Sequence, residues 1–266
     1  MTLVALTIAG SDSSGGAGIQ ADLKTFSALG IYGASVLTAL TAQNTVGVQA
    51  VHDVPPDFVT AQIDSVFGDL DVAAVKIGML SRPTTIEAVA AGLVRHGARN
   101  VVLDPVMVAT SGVRLISDDA VEVLRRRLMP LADLVTPNLP EAAALLGETG
   151  MAASEDEVVE QGRRLLALGA RAILLKGGHG TGPESVDLLV RPSGVQRFSA
   201  PRHATRNTHG TGCTLSSAIA AGLAHGATLD TAVAEAKAYL TASLVAADRL
   251  QIGAGSGPVH HFHAWW

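Results

Sequence analysis

The apolar residues of the chain fall into two kinds of segment that alternate along most of its length. Short uninterrupted apolar runs, of which residues 3–9 are the first, are typical of β-strands that are buried on both faces. Between them lie segments in which apolar residues recur every three or four positions, as Leu215, Ile219 and Leu223 do. That spacing indicates amphipathic helices. The alternation predicts an α/β fold with a mainly parallel central sheet flanked by helices on both faces.

The same pattern gives approximate bounds for the elements. Strands are predicted at residues 3–9, 46–51, 72–77, 101–103, 133–136, 172–175, 186–191 and 195–199, with a further apolar stretch at residues 32–42. Helices are predicted at residues 19–29, 56–67, 84–96, 118–128, 141–146, 155–168, 211–224 and 229–250. Because no linker, repeat or low-complexity segment divides this series, we expect a single domain that spans residues 1–266.

Polar groups follow successive strands of the predicted sheet. They are Asp12, Gln43 with Asn44, Gly78 with Met79, Asp104 with Val106, Asn138 with Glu141, and Lys176 with Gly177. One polar residue after a strand is usually part of a turn. In open α/β sheets, however, ligands bind beyond the carboxyl ends of the strands, so this succession predicts one binding site at that edge.

A second polar segment, residues 207–213, precedes the helix predicted at residues 211–224; we call it the anion loop. Gly210 and Gly212 allow its backbone N–H groups, together with those of the first helical turn, to face an anion. The chain's one cysteine, Cys213, lies here, where the helix dipole favours a thiolate. A glycine turn that only begins a helix, with Cys213 as a small buried residue, is the alternative.

An anion site next to a lysine and carboxylates suits phosphoryl transfer, which depends on positioning and charge neutralisation. Asp104, Asn138 and Glu141 offer the oxygen ligands that Mg²⁺ prefers, and Lys176 can pair with a phosphate. The side-chain amide of Gln43 offers one donor and one acceptor, which match the edge of an aminopyrimidine. From the residue pattern alone, an ordinary polar loop residue is the preferred interpretation of Gln43.

Composition and charge exclude several classes of protein. The net charge of −5 argues against a nucleic-acid-binding surface. The longest uncharged windows contain Gly, Thr, Asn or Gln and do not resemble membrane spans. A single cysteine and the lack of an apolar leader before the first strand suggest a cytoplasmic protein.

The C-terminal tail (residues 257–266) combines three histidines with Phe262, Trp265 and Trp266. The histidines have a metal-like spacing, but zinc sites usually draw ligands from more than one segment. We therefore expect the aromatic residues to pack on the body of the protein or on a second subunit.

Several motifs together resemble the hydroxymethylpyrimidine/phosphomethylpyrimidine kinases of thiamine biosynthesis. They lie at residues 5–12, 14–24, 38–45, 76–80, 138–141, 176–179 and 207–214, and the tail is similar to that of enteric-type members. The resemblance covers nearly the whole chain. It implies a ribokinase-like fold, use of ATP and Mg²⁺, and a homodimer.

The resemblance also implies roles for individual residues. Gly210, Gly212 and Cys213 would form the catalytic anion hole, with Cys213 at the position where ribokinase relatives have an aspartate base. The pyrimidine would contact the amide of Gln43 in a pocket lined by Asp12, Ala17, Met79 and Val106. Asp104, Asn138 and Glu141 would hold Mg²⁺ and phosphates. The nucleotide would contact Lys176, Thr208, Gly210, Gly212 and Lys237.

The activity implied is phosphorylation of 4-amino-5-hydroxymethyl-2-methylpyrimidine to its monophosphate and then to its diphosphate. A pyridoxal kinase of the same fold is the first alternative, and Gln43 and the tail favour the pyrimidine over it. A sugar kinase would be expected to have aspartate in place of Cys213. A non-catalytic pyrimidine-binding module is the remaining alternative, against which the presence of Lys176, Glu141 and Cys213 speaks.

Overall fold

The computed structural model describes residues 2–108, 112–180 and 182–266. Its strands are β1 (Val4–Asp12), β2 (Tyr32–Gln43), β3 (Val48–Asp53), β4 (Val72–Ile77), β5 (Val101–Leu103), β6 (Leu134–Val135), β7 (Ile173–Lys176), β8 (Glu184–Arg191) and β9 (Gly194–Pro201). Its α-helices are α1 (Gly18–Ala28), α2 (Pro56–Asp69), α3 (Pro83–His96), α4 (Asp118–Arg127), α5 (Leu139–Leu146), α6 (Glu155–Leu166), α7 (Thr211–Ala224) and α8 (Leu229–Val245).

Within these described ranges the strands form one sheet in the order β3-β2-β1-β4-β5-β6-β7-β8-β9. Adjacent strands are parallel to each other throughout the central series β2, β1, β4, β5, β6 and β7. Strand β3 at one edge and the β8-β9 hairpin at the other are antiparallel. The prediction of a mainly parallel sheet is confirmed, and the chain forms a single α/β domain.

Helices cover both faces of the sheet because the inner strands are apolar on both sides. Leu6 and Ile8 of β1 belong to the core on one face, which includes apolar residues of α2 to α6. Ala5 belongs to the core on the other face, with apolar residues of α1, α7 and α8. Strand β1 is buried along almost its whole length, as expected for a central parallel strand.

Two strands are longer than the hydrophobic pattern indicates. After a register shift between Ala9 and Ser11, β1 continues to pair with β2 as far as Asp12. Strand β2 likewise continues to Gln43 because β3 pairs with it as far as Val48. Asp12 and Gln43 are therefore the last residues of strands rather than members of the loops that follow.

Helix α8 ends at Val245, before the predicted bound at residue 250, and a short 3₁₀ turn follows at Ala247–Arg249. The side chain of Asp248 accepts hydrogen bonds from Thr205 and from Nδ2 of Asn207, the latter at 2.8 Å. These contacts join the 3₁₀ turn to residues at the start of the anion loop and just before it. Hydrophobic periodicity within a helix cannot indicate such contacts.

The C-terminal tail packs on the body of the protein through its histidines. His260 and His261 are buried and Phe262 is half-buried, whereas Trp265 and Trp266 are 71% and 69% exposed. Phe262 therefore packs on the body as expected, and the ring of Trp266 lies 4.7 Å from that of His260. Packing of the two largely exposed tryptophans on a second subunit stays a prediction. In the described part of the chain no three His, Cys, Asp or Glu side chains are grouped so that they could hold a metal ion.

Burial of the His261 imidazole makes the stability of the folded protein depend on pH. Thr214 Oγ1 uses its proton in a 2.8 Å hydrogen bond to Gly210 O, so His261 Nε2, 3.0 Å away, must donate to it. Burial lowers the pKa of His261 to about 3, and the nearby charge of Lys24 adds to this effect. The neutral imidazole is thus favoured in the folded protein, whereas the unfolded chain binds a proton below about pH 6.5.

We therefore expect His261 to reduce the free energy of unfolding as the pH falls below about 6.5. The expected loss is about 1.5–2 kcal/mol between pH 6.5 and about 5, because the slope approaches about 1.4 kcal/mol per pH unit. Urea unfolding of the native protein and of His261→Gln at several pH values measures this loss. If the free energy of unfolding fell equally steeply with pH in both proteins, His261 would not be its source.

No helix in the described ranges combines the length and the apolar composition needed to span a membrane.

Candidate active site

A cavity of about 700 Å³ lies at the carboxyl ends of the central strands, which is where the polar groups that follow the strands were expected to meet. Every site residue proposed from the sequence lines it: Asp12, Ala17, Gln43, Met79, Asp104, Val106, Asn138, Glu141, Lys176, Thr208, Gly210, Gly212, Cys213 and Lys237. The strand pattern placed the residues that follow strands at this edge of the sheet, and the family resemblance implied the others. The structure shows in addition which of them touch.

The anion loop meets the loop after β1 at very close range. Gly210 has a φ of 82° and immediately precedes α7, so the backbone turns sharply before the first helical N–H groups. A Cβ at Gly210 would lie 1.9 Å from the carbonyl oxygen of Gly16. At Gly212 a Cβ would lie 3.3 Å from Lys176 Nζ. The glycines thus allow the N-terminus of α7 to open on the cavity beside a lysine.

The structure contradicts the expectation of a thiolate at Cys213. Burial raises the pKa of the Cys213 thiol to about 11, and the charge of Lys76 only partly opposes this rise. The carboxylates of Asp22 and Asp104 raise it further. The dipole of α7 therefore does not overcome desolvation and the two carboxylates, and the thiol is protonated at neutral pH.

This protonation state predicts low thiol reactivity. We expect iodoacetamide to alkylate folded Cys213 roughly 100 times more slowly at pH 7.5 than an exposed thiol of pKa about 8.5, because less thiolate is present. The rate should keep rising with pH beyond about 9. Since the chain has one cysteine, mass spectrometry of the intact protein measures the alkylation of Cys213 directly. Protein unfolded in urea is the control, and a plateau in the rate below about pH 8 in the folded protein would contradict the prediction.

Lys176 connects the two acidic residues of the site. Its Nζ lies 2.7 Å from Asp104 Oδ1 and 3.9 Å from Glu141 Oε2. Burial and Asp104 raise the pKa of the Glu141 carboxyl to about 7, although Lys176 opposes this rise. Burial disfavours the charge on Lys176, but Asp104 and Glu141 outweigh it and raise the pKa of its ammonium group. The cluster holds one fixed cation beside two carboxylates, a set that fits a metal–phosphate complex.

Asn138 has a structural task that sequence analysis missed, although its spacing to Glu141 is the signature of a capping box. Its Oδ1 accepts a hydrogen bond from Glu141 N at 2.9 Å, while Glu141 Oε2 accepts one from Asn138 N at 2.8 Å. These reciprocal bonds are a capping box at the start of α5. Asn138 therefore orients Glu141, and its own side-chain oxygen is already engaged.

Lys237 is held by a residue that sequence analysis missed. Its Nζ lies 2.7 Å from Asp187 Oδ2, and Asp187 Oδ1 accepts a 2.9 Å hydrogen bond from Gly177 N. Asp187 thereby links α8 to the segment after β7 at the wall of the cavity. A charged residue inside the apolar run at residues 186–190 was the available signal.

Asp12 organises the loop at the opposite end of the cavity. Its carboxylate accepts hydrogen bonds from the backbone N–H groups of Ser14, Gly16 and Ala17 at 2.8–3.1 Å, and His209 Nε2 lies 2.8 Å from its Oδ2. Burial disfavours the charged form, but the hydrogen bonds, first of all that with His209, lower the pKa of Asp12 to about 2. Asp12 thus shapes the pocket through the backbone of residues 14–17.

Gln43 lies next to this group with its amide at the cavity. Its amide lies 3.1 Å from Thr41 Oγ1 on one side and 3.4 Å from His209 Nε2 on the other. Met79, which is buried, and Val106 supply apolar surface in the same cavity. A flat heterocycle with polar edges therefore finds both the amide and apolar walls here.

Below the cavity lies a buried ion pair that sequence reasoning did not assign. Lys76 and Asp22 are fully buried with their charged groups 2.8 Å apart. Asp22 also accepts hydrogen bonds from Thr7 and Ser217, at 2.6 and 2.7 Å. Burial disfavours the charge on Lys76, but Asp22 outweighs it, with smaller contributions from Cys213 and Asp104, and raises the pKa of the lysine. A lysine within an apolar strand was the signal available in the sequence.

Comparison with known proteins finds relatives of nearly the whole chain. The family described as phosphomethylpyrimidine kinase matches residues 12–260. A hydroxymethylpyrimidine/phosphomethylpyrimidine kinase of Rhizobium meliloti (strain 1021) is 62% identical over 266 residues, with 100% of this chain and 99% of the relative covered.

Solved structures show the same fold. A crystal structure of phosphomethylpyrimidine kinase from Clostridium difficile 630 is 45% identical, with a TM-score of 0.80 and 90% of this chain and 98% of that chain covered. An ADP complex of Bacillus subtilis pyridoxal kinase is 36% identical, with a TM-score of 0.91 and 99% of each chain covered. The predicted ribokinase-like architecture is confirmed, and the chain belongs to the phosphomethylpyrimidine kinase family.

Proposed function

We propose that this protein is an ATP-dependent kinase that phosphorylates 4-amino-5-hydroxymethyl-2-methylpyrimidine and then converts the monophosphate to the diphosphate, as in thiamine biosynthesis. Membership of a kinase family implies the use of ATP. The substrate assignment rests on one observation: the same cavity contains the Gln43 amide, the anion loop and Lys176. The pyrimidine edge and the phosphate are thereby bound at opposite ends of one site.

The phosphate end neutralises charge in the transition state. Lys176 and the N–H groups at the start of α7 bind the transferred phosphoryl group, and Lys237 lies in the same cavity wall. Mg²⁺ fits the carboxylates of Asp104 and Glu141, since this ion needs only one or two protein carboxylates besides phosphate oxygens and waters. When bound with ATP, it neutralises part of the phosphate charge.

The acceptor end places the hydroxymethyl group near Cys213. A protonated thiol does not accept a proton at the outset. The loose transition state of phosphoryl transfer requires little activation of the acceptor, so the hydroxyl proton can pass late in the reaction to an oxygen of the transferred phosphoryl group. Cys213 then contributes a compact uncharged surface next to the anion loop, where the first phosphate must be accommodated in the second step.

Pyridoxal is the second candidate substrate, because a pyridoxal kinase has the same fold with a TM-score of 0.91. A ³¹P NMR time course with Mg·ATP and, in separate tubes, hydroxymethylpyrimidine, its monophosphate and pyridoxal tests both candidates. We expect a diphosphate product from the first two tubes. Product from pyridoxal alone would replace the substrate assignment, and no product in any tube would support a binding module.

We also propose a cytoplasmic homodimer. Exposed apolar side chains on the antiparallel edge of the sheet, Leu40, Val46 and Val51, support self-association through this region. Sedimentation equilibrium of the native protein and of Val51→Lys measures the oligomeric state in solution. A native protein that sediments as a monomer at micromolar concentration would contradict the proposal.

A further inference from the structure

The anion loop has its backbone partner outside the central sheet. The last strand, β9, ends before the loop begins, so the sheet does not pair with it. The loop instead forms an isolated parallel bridge between His209 and Pro258 of the C-terminal tail. His209 N donates to Gly257 O at 3.0 Å, and His209 O accepts from Val259 N at 3.4 Å. The tail therefore lies along the anion loop in the way that a neighbouring strand would.

Residues 255–261, which we call the clasp, also contact the segment just before the anion loop. Ser256 Oγ donates to Arg206 O at 3.0 Å. The same residue contacts the loop that follows Gln43, because Ser256 N donates to Thr45 O at 3.0 Å. Ser256 thereby joins the approach to the anion loop with the loop that follows β2.

The clasp packs on both of these loops with little free space. A Cβ at Gly255 would lie 2.0 Å from Thr45 O, and a Cβ at Gly257 would lie 2.1 Å from Asn207 Oδ1. Val259 is fully buried. Because these contacts are so close, the position of the clasp also fixes the position of the anion loop.

At its other end the clasp contacts the first turn of α7. Thr214 Oγ1 uses its proton in the hydrogen bond to Gly210 O, so His261 Nε2, 3.0 Å away, donates to Thr214. The carbonyl oxygen of His261 accepts a 2.6 Å hydrogen bond from Tyr239 Oη of α8. A series of hydrogen bonds thus runs from α8 through His261 and Thr214 to Gly210. The clasp residues are all described in the structure, and none of them lines the cavity.

We infer that Ser256 and His261 are positioning residues of the proposed phosphoryl transfer, which act through the anion loop rather than by contact with a substrate. Gly210 and Gly212 give the loop a flexible backbone, and ordering such a backbone costs conformational free energy. The clasp orders the loop before phosphate binds. A misplacement of about 1 Å can lower a rate by about 100-fold, so this ordering supports kcat. The inference rests on the proposed function and names residues that position its catalytic loop.

Removal of the His261 donor tests the contact with α7. His261→Leu places an apolar side chain in a buried position but cannot donate to Thr214. With Mg·ATP and hydroxymethylpyrimidine we expect kcat to fall by about tenfold or more. KM for the pyrimidine should change by less than about threefold, since Gln43 lies on β2, which His261 does not contact. His261→Gln keeps an N–H donor and should retain most of the native kcat.

His225→Leu is the matched control at the opposite end of the same helix. His225 Nε2 donates to Leu29 O at 3.0 Å, beyond the C-terminus of α7 and away from the cavity. This variant loses the same kind of hydrogen bond and should keep the native kcat. Native kcat in His261→Leu would overturn the role of His261. An equal loss of kcat in His261→Gln or in His225→Leu would do the same, because it would not depend on the donor to Thr214.

Ser256→Ala tests the contact before the anion loop and does not depend on whether His261→Leu folds. The variant removes the one hydrogen bond of the Ser256 hydroxyl to Arg206 O and leaves the backbone bond to Thr45 intact. We expect kcat to fall by about threefold or more, the effect of one hydrogen bond. Ser256→Thr keeps the hydroxyl and should restore kcat. Native kcat in Ser256→Ala would overturn the role of Ser256.

Hydrogen exchange distinguishes failure of the clasp from failure of the proposed function. If the native protein phosphorylates neither pyrimidine, the proposed function fails, but the exchange of amide protons in residues 207–214 still measures the order of the anion loop. These amides should exchange at least about threefold faster in His261→Leu and Ser256→Ala than in the native protein and in His225→Leu. Native exchange rates in both clasp variants would overturn the inference, whatever the substrate is.

Discussion

Replacing Gly210 by alanine should lower kcat by about 100- to 1,000-fold, the loss typical of one displaced oxyanion donor. The residue has a φ of 82°, and its new Cβ would lie 1.9 Å from the carbonyl oxygen of Gly16. The Cβ meets a backbone atom, so no side-chain rotation can relieve the contact. Either the start of α7 or the loop around Asp12 must shift, and the anion loop then no longer meets the pyrimidine pocket.

The matched control is Gly226→Ala, just beyond the end of the same helix. Gly226 has a φ of 83°, and a Cβ there meets no described atom within 4 Å. This variant therefore shares the backbone strain, about 1–2 kcal/mol, without the collision. Steady-state kinetics and thermal melting of both variants should show a loss of kcat in Gly210→Ala alone. Native-like kcat in Gly210→Ala would show that the anion loop does not bind the transferred group.

Replacing Lys76 by methionine should reduce the free energy of unfolding by about 3–5 kcal/mol, as expected when one partner of a buried ion pair is removed. Asp22 would remain fully buried with only the hydroxyls of Thr7 and Ser217 as partners. Urea unfolding at neutral pH measures the loss. The same variant also removes the cation that partly opposes the high pKa of Cys213, so alkylation of the thiol should become slower still.

Two further variants show whether charge is the cause. Lys76→Met combined with Asp22→Asn leaves no buried charge at this position and should recover at least about 2 kcal/mol of the loss. Lys24→Met removes a half-buried lysine that donates to the neutral carbonyl of Gly15 at 2.8 Å, and should cost only about 1 kcal/mol. If the double variant is no more stable than Lys76→Met, the ion pair is not the source of the effect.

The sequence predicted the elements well where hydrophobic periodicity acts within one segment. Strand β4 and strand β5 have the predicted bounds, whereas α8 ends before its predicted bound, and Asp248 beyond it bonds to Asn207 of the anion loop. The extension of β1 to Asp12 depends on pairing with β2, a partner that local periodicity does not identify. Contacts between distant segments account for each of these differences.

The same distinction applies to the site. Glycines before a helix, polar groups after successive strands and the resemblance to a kinase family named the residues that line the cavity. The capping box of Asn138 and Glu141 has a signature in the sequence, because the two residues are three positions apart at the start of a helix. The sequence did not show, however, that Asp187 holds Lys237 or that Cys213 is a protonated thiol. A hydrogen bond or a pKa depends on what surrounds a group in space, and those surroundings come from several elements.

By itself, then, the sequence determined the alternation of strands and helices, the edge of the sheet at which ligands bind, and the residue types available there. These follow from periodicity and from the rule that parallel strands end together. Only the tertiary structure decided how Asp12, Thr41 and His209 surround the Gln43 amide, since these residues come from strands and a loop far apart in the chain. The physical reason is that each group's protonation and orientation are set by neighbours a few ångströms away, which folding alone brings together.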